Sequence, residues 1–557
     1  MSRFIDRMVA TAGAGGQRRG VTTGEPDNPV HTTWAQVHEE ARAMAGALVK
    51  HGLARGDAVA VLAAAPVAIG PAVQAVWLAG GSVTMLHQPT PRSDLALWAE
   101  DTVKVLNMIS SKLVLLGAPF DQLAPVLDQH GIGYLLISDL AQGIPLTTFA
   151  EVDEDAPALL QLTSGSTADP KAVRITHGNL LANITAMADR AELDYENDVM
   201  VSWLPMFHDM GMVGFYTTPM ALGIELVKVT PVDFLSGPLL WARLISTYRG
   251  TVTAAPNFAY ALLARRLGGA EDGDYDLSSL RIALNGAEPI DEKAVAAFIE
   301  AGARFQMPAE CVFPAYGMAE GTLAISFARP MIGLRLDYLD AVELEASNRA
   351  VPVPPTTPAA SLRAFAILGP PLDGFEARIV SVADGTVRSE REVGEIQVRG
   401  PSVTPGYLTV DGPLTTQDAD GWLPTGDLGY TVDGEIVICG RAKDVIILAG
   451  RNIYPTDIER AATAVEGVRA GNAVAVRLEA GTRRERFAVV VESKLAGDLE
   501  KVKALRKEVG ARVFEAVNAR PSAVLVLPAG TLPKTPSGKL RRAAAGEQLA
   551  ESIREAS

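Results

Sequence analysis

Cysteine is nearly absent: Cys311 and Cys439 stand far apart in a chain of 557 residues, which excludes a disulfide framework or a cysteine zinc cluster and points to a reducing, cytoplasmic compartment. Basic residues are also scarce, with 50 Lys and Arg against 65 Asp and Glu and a formal net charge of -15. A nucleic-acid or anionic-membrane binder needs a basic surface, so both classes are excluded and any cationic chemistry must be local. The opening residues, M-S-R-F-I-D-R-M-V-A, hold no apolar run of signal-peptide length, and export is not expected. A transmembrane segment is not expected either. Residues 58–81 carry no charge, yet Pro66 and Pro71 interrupt them, and they parse as strand 58–62, helix 68–79 and strand 82–86. That is the buried strand-helix-strand unit of a parallel sheet, whose strands read as continuous apolar runs.

What is present is globular. Hydrophobic residues make up 48% and charged residues 21%, and the length accommodates roughly three or four domain-sized units. Trp34, Val37, Ala41, Met44 and Leu48 recur at helical spacing and predict an amphipathic helix that ends at Gly52. Helix 93–109, strand 113–116, helix 120–129 and strand 134–137 continue an α/β alternation, as do helix 178–191, strand 199–203 and strand 280–284. Short alternating strands at 377–380, 394–398 and 435–439 predict a small β-rich subdomain. Segments 458–465, 473–476, 487–492, 499–517 and 524–527 then alternate helix and strand as a compact α+β domain. Between these regions lies V-P-V-P-P-T-T-P, residues 351–358, a poor fit to helix or sheet and an expected surface excursion.

The stretch L-T-S-G-S-T-A-D-P-K, residues 162–171, joins an apolar run to an alternating one and reads as a loop between strands. Thr163, Ser164, Ser166 and Thr167 offer hydroxyls, Gly165 relaxes the backbone and Lys171 supplies a cation, a set that suits a polyphosphate. It lacks Walker spacing, so hydroxyls and loop amides would have to do the gripping. Taken alone, a hydroxyl-rich turn reads the same way. L-P-M-F-H-D-M-G places His208 and Asp209 just past the strand 199–203, where open parallel sheets hold their ligands, although a lone His is more often structural. Residues 212–224, nearly uncharged, suit a packed core or an apolar substrate tunnel equally. N-G-A-E-P at 285–289 marks a tight strand-to-helix turn, with Asp291 starting the helix, and F-P-A-Y-G-M-A-E-G at 313–321 reads as a second.

T-S-G-S-T-A-D-P-K, F-H-D-M-G, N-G-A-E-P, Y-G-M-A-E, T-G-D, G-R-A-K-D and P-K-T-P-S-G-K occur in this order over about residues 34–542. Together they resemble the adenylate-forming superfamily of acyl-CoA synthetases, peptide-synthetase adenylation domains and luciferases. The resemblance implies activation of a carboxylic acid by ATP with Mg²⁺. It implies that Thr163, Ser164, Gly165, Ser166, Thr167 and Lys171 hold the β- and γ-phosphates, and that Glu320 coordinates the metal with Thr163. Tyr316, Gly317 and Met318 would border adenine, with Gly286, Ala287 and Glu288 on its other side. Asp427 would accept hydrogen bonds from the ribose hydroxyls, with Arg441 adding a donor. Lys539 would bridge the substrate carboxylate and the α-phosphate, His208 would flank that carboxylate, and Met212, Gly214, Phe215 and Phe258 would line the acyl pocket. The implied architecture is α/β: an N-terminal domain, residues 1–442, of parallel-rich sheets to about 365 and a β-rich subdomain at about 366–442. A mobile α+β C-terminal domain, 443–557, would rotate about a hinge near Lys443.

Amino-acid adenylation domains carry an Asp after the Phe of the fourth motif, and His208 stands there, which implies an acid without an amine. S-W-L-P-M-F-H-D-M-G, A-A-P-N-F-A-Y with L-N-G-A-E-P, G-R-N-I-Y-P-T-D-I-E, and the long interval from 320 to 369 resemble fatty acyl-AMP ligases. That implies a medium- or long-chain fatty acid and an insertion at about 329–361 that braces the two domains and disfavours CoA. The acceptor would be the phosphopantetheine thiol of an acyl carrier protein, which Arg483, Arg484, Arg486 and the cluster 534–542 could meet, if these are not ordinary solvated surface. A fatty acyl-CoA synthetase is one alternative. A non-catalytic adenylate-binding sensor is another, and intact Glu320, Asp427 and Lys539 speak against it.

Overall fold

The computed structural model describes residues 1–14, 16–90, 93–163, 169–358, 361–448, 451–482, 484–534 and 540–556. The chain forms two compact units. The first comprises Met1–Leu334, Pro371–Glu376 and Arg399–Leu423, and the second Arg335–Pro370, Ala377–Val398 and Pro424–Ser557. Among the described residues no helix is long and apolar enough to cross a membrane.

Two eight-stranded sheets build the first unit. One has a central parallel set, Ser82–Met85, Ala58–Leu62, Ser111–Leu116 and Tyr134–Leu136, and is extended at Ser82–Met85 by Pro157–Leu162, Lys171–Thr176, Tyr407–Thr409 and Gly412–Leu414. Every residue of Ala58–Leu62 is buried, as a strand covered on both faces must be. The following helix is Pro66–Leu78, beginning two residues before the expected 68 because Pro is tolerated in a first turn, where its missing N–H has no partner to lose. The second sheet runs Ala324–Phe327, Val312–Gly317, Ile282–Asn285, Val252–Ala255, Val199–Ser202, Glu225–Lys228, Gly20–Thr23, Val30–Thr33, parallel except at its two edges.

The predicted amphipathic helix is Trp34–Lys50, closed by a Thr33–Gln36 capping box, and Trp34, Val37, Ala41, Met44 and Leu48 are all buried. Two local expectations are corrected. Residues 120–129 form a 3₁₀ turn, Phe120–Leu123, and a separate helix, Ala124–Gln129, with Pro125 in its first turn, where it cannot donate to the preceding residues. Residues 313–321 do not turn into a helix: Val312–Gly317 and Ala324–Phe327 pair antiparallel around a 3₁₀ turn at Ala319–Gly321. Gly317 permits this hairpin, because a Cβ there would lie 1.9 Å from the Leu323 carbonyl oxygen.

A helix that periodicity did not single out, Arg3–Ala14, seals one side of this unit. Phe4, Ile5 and Met8 are buried, and the Phe4 ring meets Trp77 edge-on at 5.1 Å and His177 at 5.8 Å. Ser2 Oγ lies 3.0 Å from His177 Nδ1. Burial pushes His177 down to about 4, against the nearby negative charge of Glu154. Its Nε2 has no hydrogen-bond partner among the described residues, so a second ring proton would be buried unpaired.

The second unit holds a four-stranded sheet, Glu376–Val380, Gly394–Arg399, Leu423–Val432, Glu435–Arg441, whose ends abut the first unit's segments in sequence. It also holds a three-stranded sheet, Val468–Leu478, Arg486–Ser493, Ala523–Leu527, with the helices Pro455–Thr463 and Leu499–Val517. The region expected to carry an insertion is structured: Leu336–Asp340 and Leu362–Ala366 pair antiparallel around the helix Ala341–Ser347, which Asp340 caps. Even within 351–358 the excursion is partial, since Val353 N–H donates to the Tyr338 carbonyl at 2.8 Å and Pro352 bridges Leu339. Arg363 ties this region to the later helices. It donates to Glu345 at 2.9 Å, Asp457 at 2.8 Å and the Ala516 carbonyl at 3.0 Å, while Arg451 donates to Glu345 at 3.2 Å and the Val517 carbonyl at 2.9 Å. The Arg363 and Glu345 side chains are only 8% and 6% exposed.

Two outcomes are expected. Arg363→Met leaves Asp457 without its arginine and Glu345 with Arg451 alone, and should cost about 3–5 kcal/mol in urea unfolding, whereas Arg512→Met, at an exposed pair, should cost less than about 1. His177 is neutral when folded and titrates near its ordinary value when unfolded, so its contribution is complete above about 6.5 and is lost as pH falls toward 4. Unfolding free energy should therefore drop between pH 7 and 5 by roughly 2 kcal/mol more in the parent than in His177→Gln; equal drops would remove His177 from that account.

Candidate active site

The strand Pro157–Leu162 delivers Thr163 at its carboxyl end, and the hairpin partner Lys171–Thr176 returns with Lys171 first. Thr163 N–H donates to the Lys171 carbonyl at 3.3 Å, closing the base of the loop. Thr163 Oγ1 is buried and has no hydrogen-bond partner among the described residues. Ser164, Gly165, Ser166 and Thr167 lie outside the described residues, as do Lys539 and Arg483.

Gln161, only 4% exposed, connects this loop to the next. Its amide Nε2 donates to the Leu162 carbonyl at 3.1 Å and to the Phe207 carbonyl at 2.9 Å. The second loop leaves the strand Val199–Ser202 as expected, and His208 Nδ1 sits 2.6 Å from Asp209 Oδ1. A fully buried lysine holds the loop from below. Lys228 Nζ donates to the Leu204 carbonyl, and to the Val229 carbonyl at 3.2 Å, and burial pushes it down to about 7 against the nearby charge of Asp233. His87 stands at the carboxyl end of Ser82–Met85, its ring 5.4 Å from that of Phe207. Burial and the charge of His208 push it down to about 4, so the imidazole facing His208 is neutral at pH 7. Neither Lys228 nor His87 was singled out from the sequence. The signal for His87 was present, since L-H-Q-P follows a strand end in the same position that drew notice to His208.

Beyond His208 the chain enters a wide helical turn, Met210–Thr217, buried throughout. Gly211 lets it approach, because a Cβ would lie 2.1 Å from the Pro205 carbonyl oxygen. Met212 and Phe215 are buried, and a Cβ at Gly214 would touch the Leu323 side chain at 3.0 Å, so this stretch is a packed apolar wall. Phe258 meets Trp203 at 6.4 Å, and Trp203 stacks on Phe234 at 4.0 Å. Phe258 N–H donates to Glu288 Oε1 at 2.6 Å, which joins the apolar wall to the N-G-A-E turn. That turn is tight: Gly286 follows the strand Ile282–Asn285 and Ala287 adopts φ +70.

Tyr316 and Gly317 end the adjacent strand, the Tyr316 hydroxyl lies 3.9 Å from Met318 Sδ, and Glu320 follows on the 3₁₀ turn. The Tyr407 hydroxyl donates to Glu320 Oε1, and Lys171 Nζ lies 4.0 Å from the centre of the Tyr407 ring. The first unit thus gathers Thr163, Lys171, His208, Glu288 and Glu320 through Gln161, Phe258 and Tyr407.

In the second unit, Asp427 and Arg441 face each other across paired strands, Arg441 Nε donating to Asp427 Oδ1 at 2.9 Å. Lys443 is exposed, and its carbonyl accepts from Arg477 at 3.0 Å. The basic cluster near the C-terminus needs correction, because Arg542 is engaged internally with Glu459 at 2.7 Å and Asp444 at 2.8 Å. Those carboxylates hold its guanidinium charged although it is only partly exposed, so its charge is already paired within the chain.

Residues 11–408 match the family model described as AMP-binding enzyme. The chain is 54% identical, over 98% of its length and 99% of the relative's, to the putative ligase Rv1013 of Mycobacterium tuberculosis. It is 36% identical, over 71% of its length and 68% of the relative's, to the medium-chain-fatty-acid acyl-carrier-protein ligase JamA of Moorena producens. A solved structure from work on fatty acyl-adenylate ligases of E. coli and L. pneumophila superposes with a TM-score of 0.89 at 30% identity, covering 100% of this chain and 99% of that one. A match of this extent, laid over strand ends that already carry the ordered motifs, means that the chain belongs to the AMP-binding enzyme family and is an adenylate-forming ligase.

Proposed function

We propose that this ligase activates a medium- or long-chain fatty acid to its acyl-adenylate and passes the acyl group to the phosphopantetheine thiol of an acyl carrier protein. The carrying observation is the buried, uncharged wall of Met210–Thr217 that starts two residues after His208, with Gln161 tying the His208 loop to the phosphate-loop strand. An acid with an apolar tail fits such a wall: Met210–Thr217 itself carries no carboxylate, and Asp209, which precedes it, is engaged by His208 at 2.6 Å and by the Met210 N–H. Similarity to a medium-chain-fatty-acid acyl-carrier-protein ligase and to a fatty acyl-adenylate ligase structure supports the same reading.

In the first half-reaction a carboxylate oxygen bonds to the α-phosphorus of ATP as the bond to the leaving pyrophosphate breaks. Two anions must meet, so the chain's task is to neutralise charge and align the oxygens. Lys171 and the hydroxyls of 163–167 hold the departing phosphates, and Lys539 offers its cation between carboxylate and α-phosphate. His208 orients the carboxylate beside a neutral His87. Mg²⁺ fits the donors present, a buried Thr163 hydroxyl without a hydrogen-bond partner among the described residues and the Glu320 carboxylate, both hard oxygens. When bound, the ion supplies positive charge to the polyphosphate. Tyr316, with Gly286, Ala287, Glu288, Gly317 and Met318, borders the adenine, and Asp427 with Arg441 receives the ribose. In the second half-reaction the thiol sulfur bonds to the acyl carbon and AMP departs. Rotation of residues 443–557 about Lys443 exchanges one task for the other. The structured region 335–366, anchored by Arg363 and Arg451, supports the acyl-AMP ligase reading over an acyl-CoA synthetase.

Lys539→Ala should lower acyl-adenylate formation about 100-fold or more, followed by pyrophosphate release, while ATP binding stays measurable. Full activity would remove that role. With a long-chain acid, ATP and Mg²⁺, chromatography should show acyl-adenylate persisting when CoA is added and consumed when a phosphopantetheinylated carrier protein is added. Rapid acyl-CoA formation would replace the carrier reading by that of an acyl-CoA synthetase, and no adenylate at all would point to a non-catalytic sensor.

A further inference from the structure

Tyr407 was not singled out from the sequence, yet it touches both ends of the polyphosphate machinery. It opens the short strand Tyr407–Thr409, which pairs antiparallel with Lys171–Thr176 so that Tyr407 faces Val173 and Thr409 faces Lys171. A two-residue diagonal on one sheet face brings long side chains together, and Lys171 Nζ accordingly lies 4.0 Å from the Tyr407 ring centre. The tyrosine hydroxyl reaches the other way and donates to Glu320 Oε1.

The backbone around Tyr407 is fastened on both sides. Thr404 N–H donates to the Glu320 carbonyl at 2.8 Å, and Arg174 N–H donates to the Gly406 carbonyl at 3.0 Å. Thr404 Oγ1 donates to the Arg174 carbonyl and accepts from Gly406 N–H at 3.2 Å. Gly406 has φ +143, and a Cβ there would lie 2.1 Å from the Leu414 carbonyl oxygen, so the strand can enter its place only through glycine. The side chain therefore projects from a rigid support rather than from a loose loop.

We propose that Tyr407 is a positioning residue that couples the phosphate lysine to the metal-binding acid. Its hydroxyl engages Oε1 of Glu320 and leaves Oε2 to face a divalent cation, the part that hydrogen-bonded partners of ligating carboxylates play. Its ring gives the Lys171 ammonium a face to rest on until phosphate oxygens, stronger partners for a cation, draw it away. This rests on the assignment of Lys171 and Glu320 under the proposed function.

The test is equilibrium binding of ATP by the full chain, titrated with Mg²⁺ and also without divalent ions, for the parent, Tyr407→Phe and Glu320→Gln. Thermal unfolding of each without nucleotide serves as a folding check. Tyr407→Phe keeps the ring and loses the hydroxyl. It should raise the Mg²⁺ concentration for half-saturation about tenfold or more, while metal-free ATP affinity stays within about twofold because the ring remains. Glu320→Gln should show a similar shift, and the double variant should add little to it, as expected of two residues acting through one contact. A Tyr407→Phe titration that overlays the parent's, or an equal loss with and without metal, overturns the role of Tyr407. Parent binding that is indifferent to Mg²⁺ and to Glu320→Gln overturns the metal assignment beneath it, and with it this proposal.

Discussion

The amide of Gln161 is the contact on which the site depends. Buried within the strand Pro157–Leu162, it spends both N–H groups on carbonyls, one at the root of the phosphate loop and one at Phe207, beside His208. Burying such an amide without partners costs roughly 1–3 kcal/mol, so the two loops are held to one another by the penalty of separating them as much as by the bonds themselves. The loops spring from different sheets, and what joins a phosphate grip to an acid-binding loop is this side chain together with the His87 and Phe207 ring contact. Lys228 completes the arrangement from beneath by fixing the Leu204 carbonyl at the loop's start.

Charge is used sparingly and almost always in place. In an acidic chain, the cations that matter sit where a specific carbonyl or carboxylate receives them: Lys228 under a loop, Arg363 between Glu345 and Asp457, Arg542 between Glu459 and Asp444. Asp457, Glu459 and Asp444 would each lose their arginine if Arg363 or Arg542 were removed, a loss that partly buried carboxylates resist. Lys171 differs: among the described residues its ammonium rests on the face of the Tyr407 ring, a weak hold that a polyphosphate can overcome. Structural cations are thus clamped, and Lys171, proposed to hold the departing phosphates, is held lightly.

Local sequence was a good guide where one face or one strand end decided the matter. The 34–48 helix, the Ala58–Leu62 strand and the 499–517 helix stand where periodicity placed them, because burial of an apolar stripe depends on nothing beyond the stripe itself. The same holds for the strand Pro157–Leu162, its return at Lys171–Thr176 and the strand Val199–Ser202 that precedes the His208 loop. It was a poor guide at 313–321, where the chain turns back on itself after Gly317 and a hairpin replaces the expected helix, with the Leu323 carbonyl approaching Gly317. It also undervalued 335–366, whose polar composition hid Arg363, Glu345 and their partners more than 90 residues away in Asp457 and Ala516.

By itself, then, the sequence determined the family, the order of its motifs and the residue types proposed to meet phosphate, carboxylate and metal, since these are matters of local chemistry and spacing. Only the tertiary structure decided that Gln161 joins two loops, that His87 packs on Phe207 beside His208, that Arg542 is paired with Glu459 and Asp444 and that Tyr407 stands between Lys171 and Glu320. Each of these is a contact between residues far apart in the chain, set by strand pairing and burial, and no local pattern encodes which distant partner a buried polar group will find.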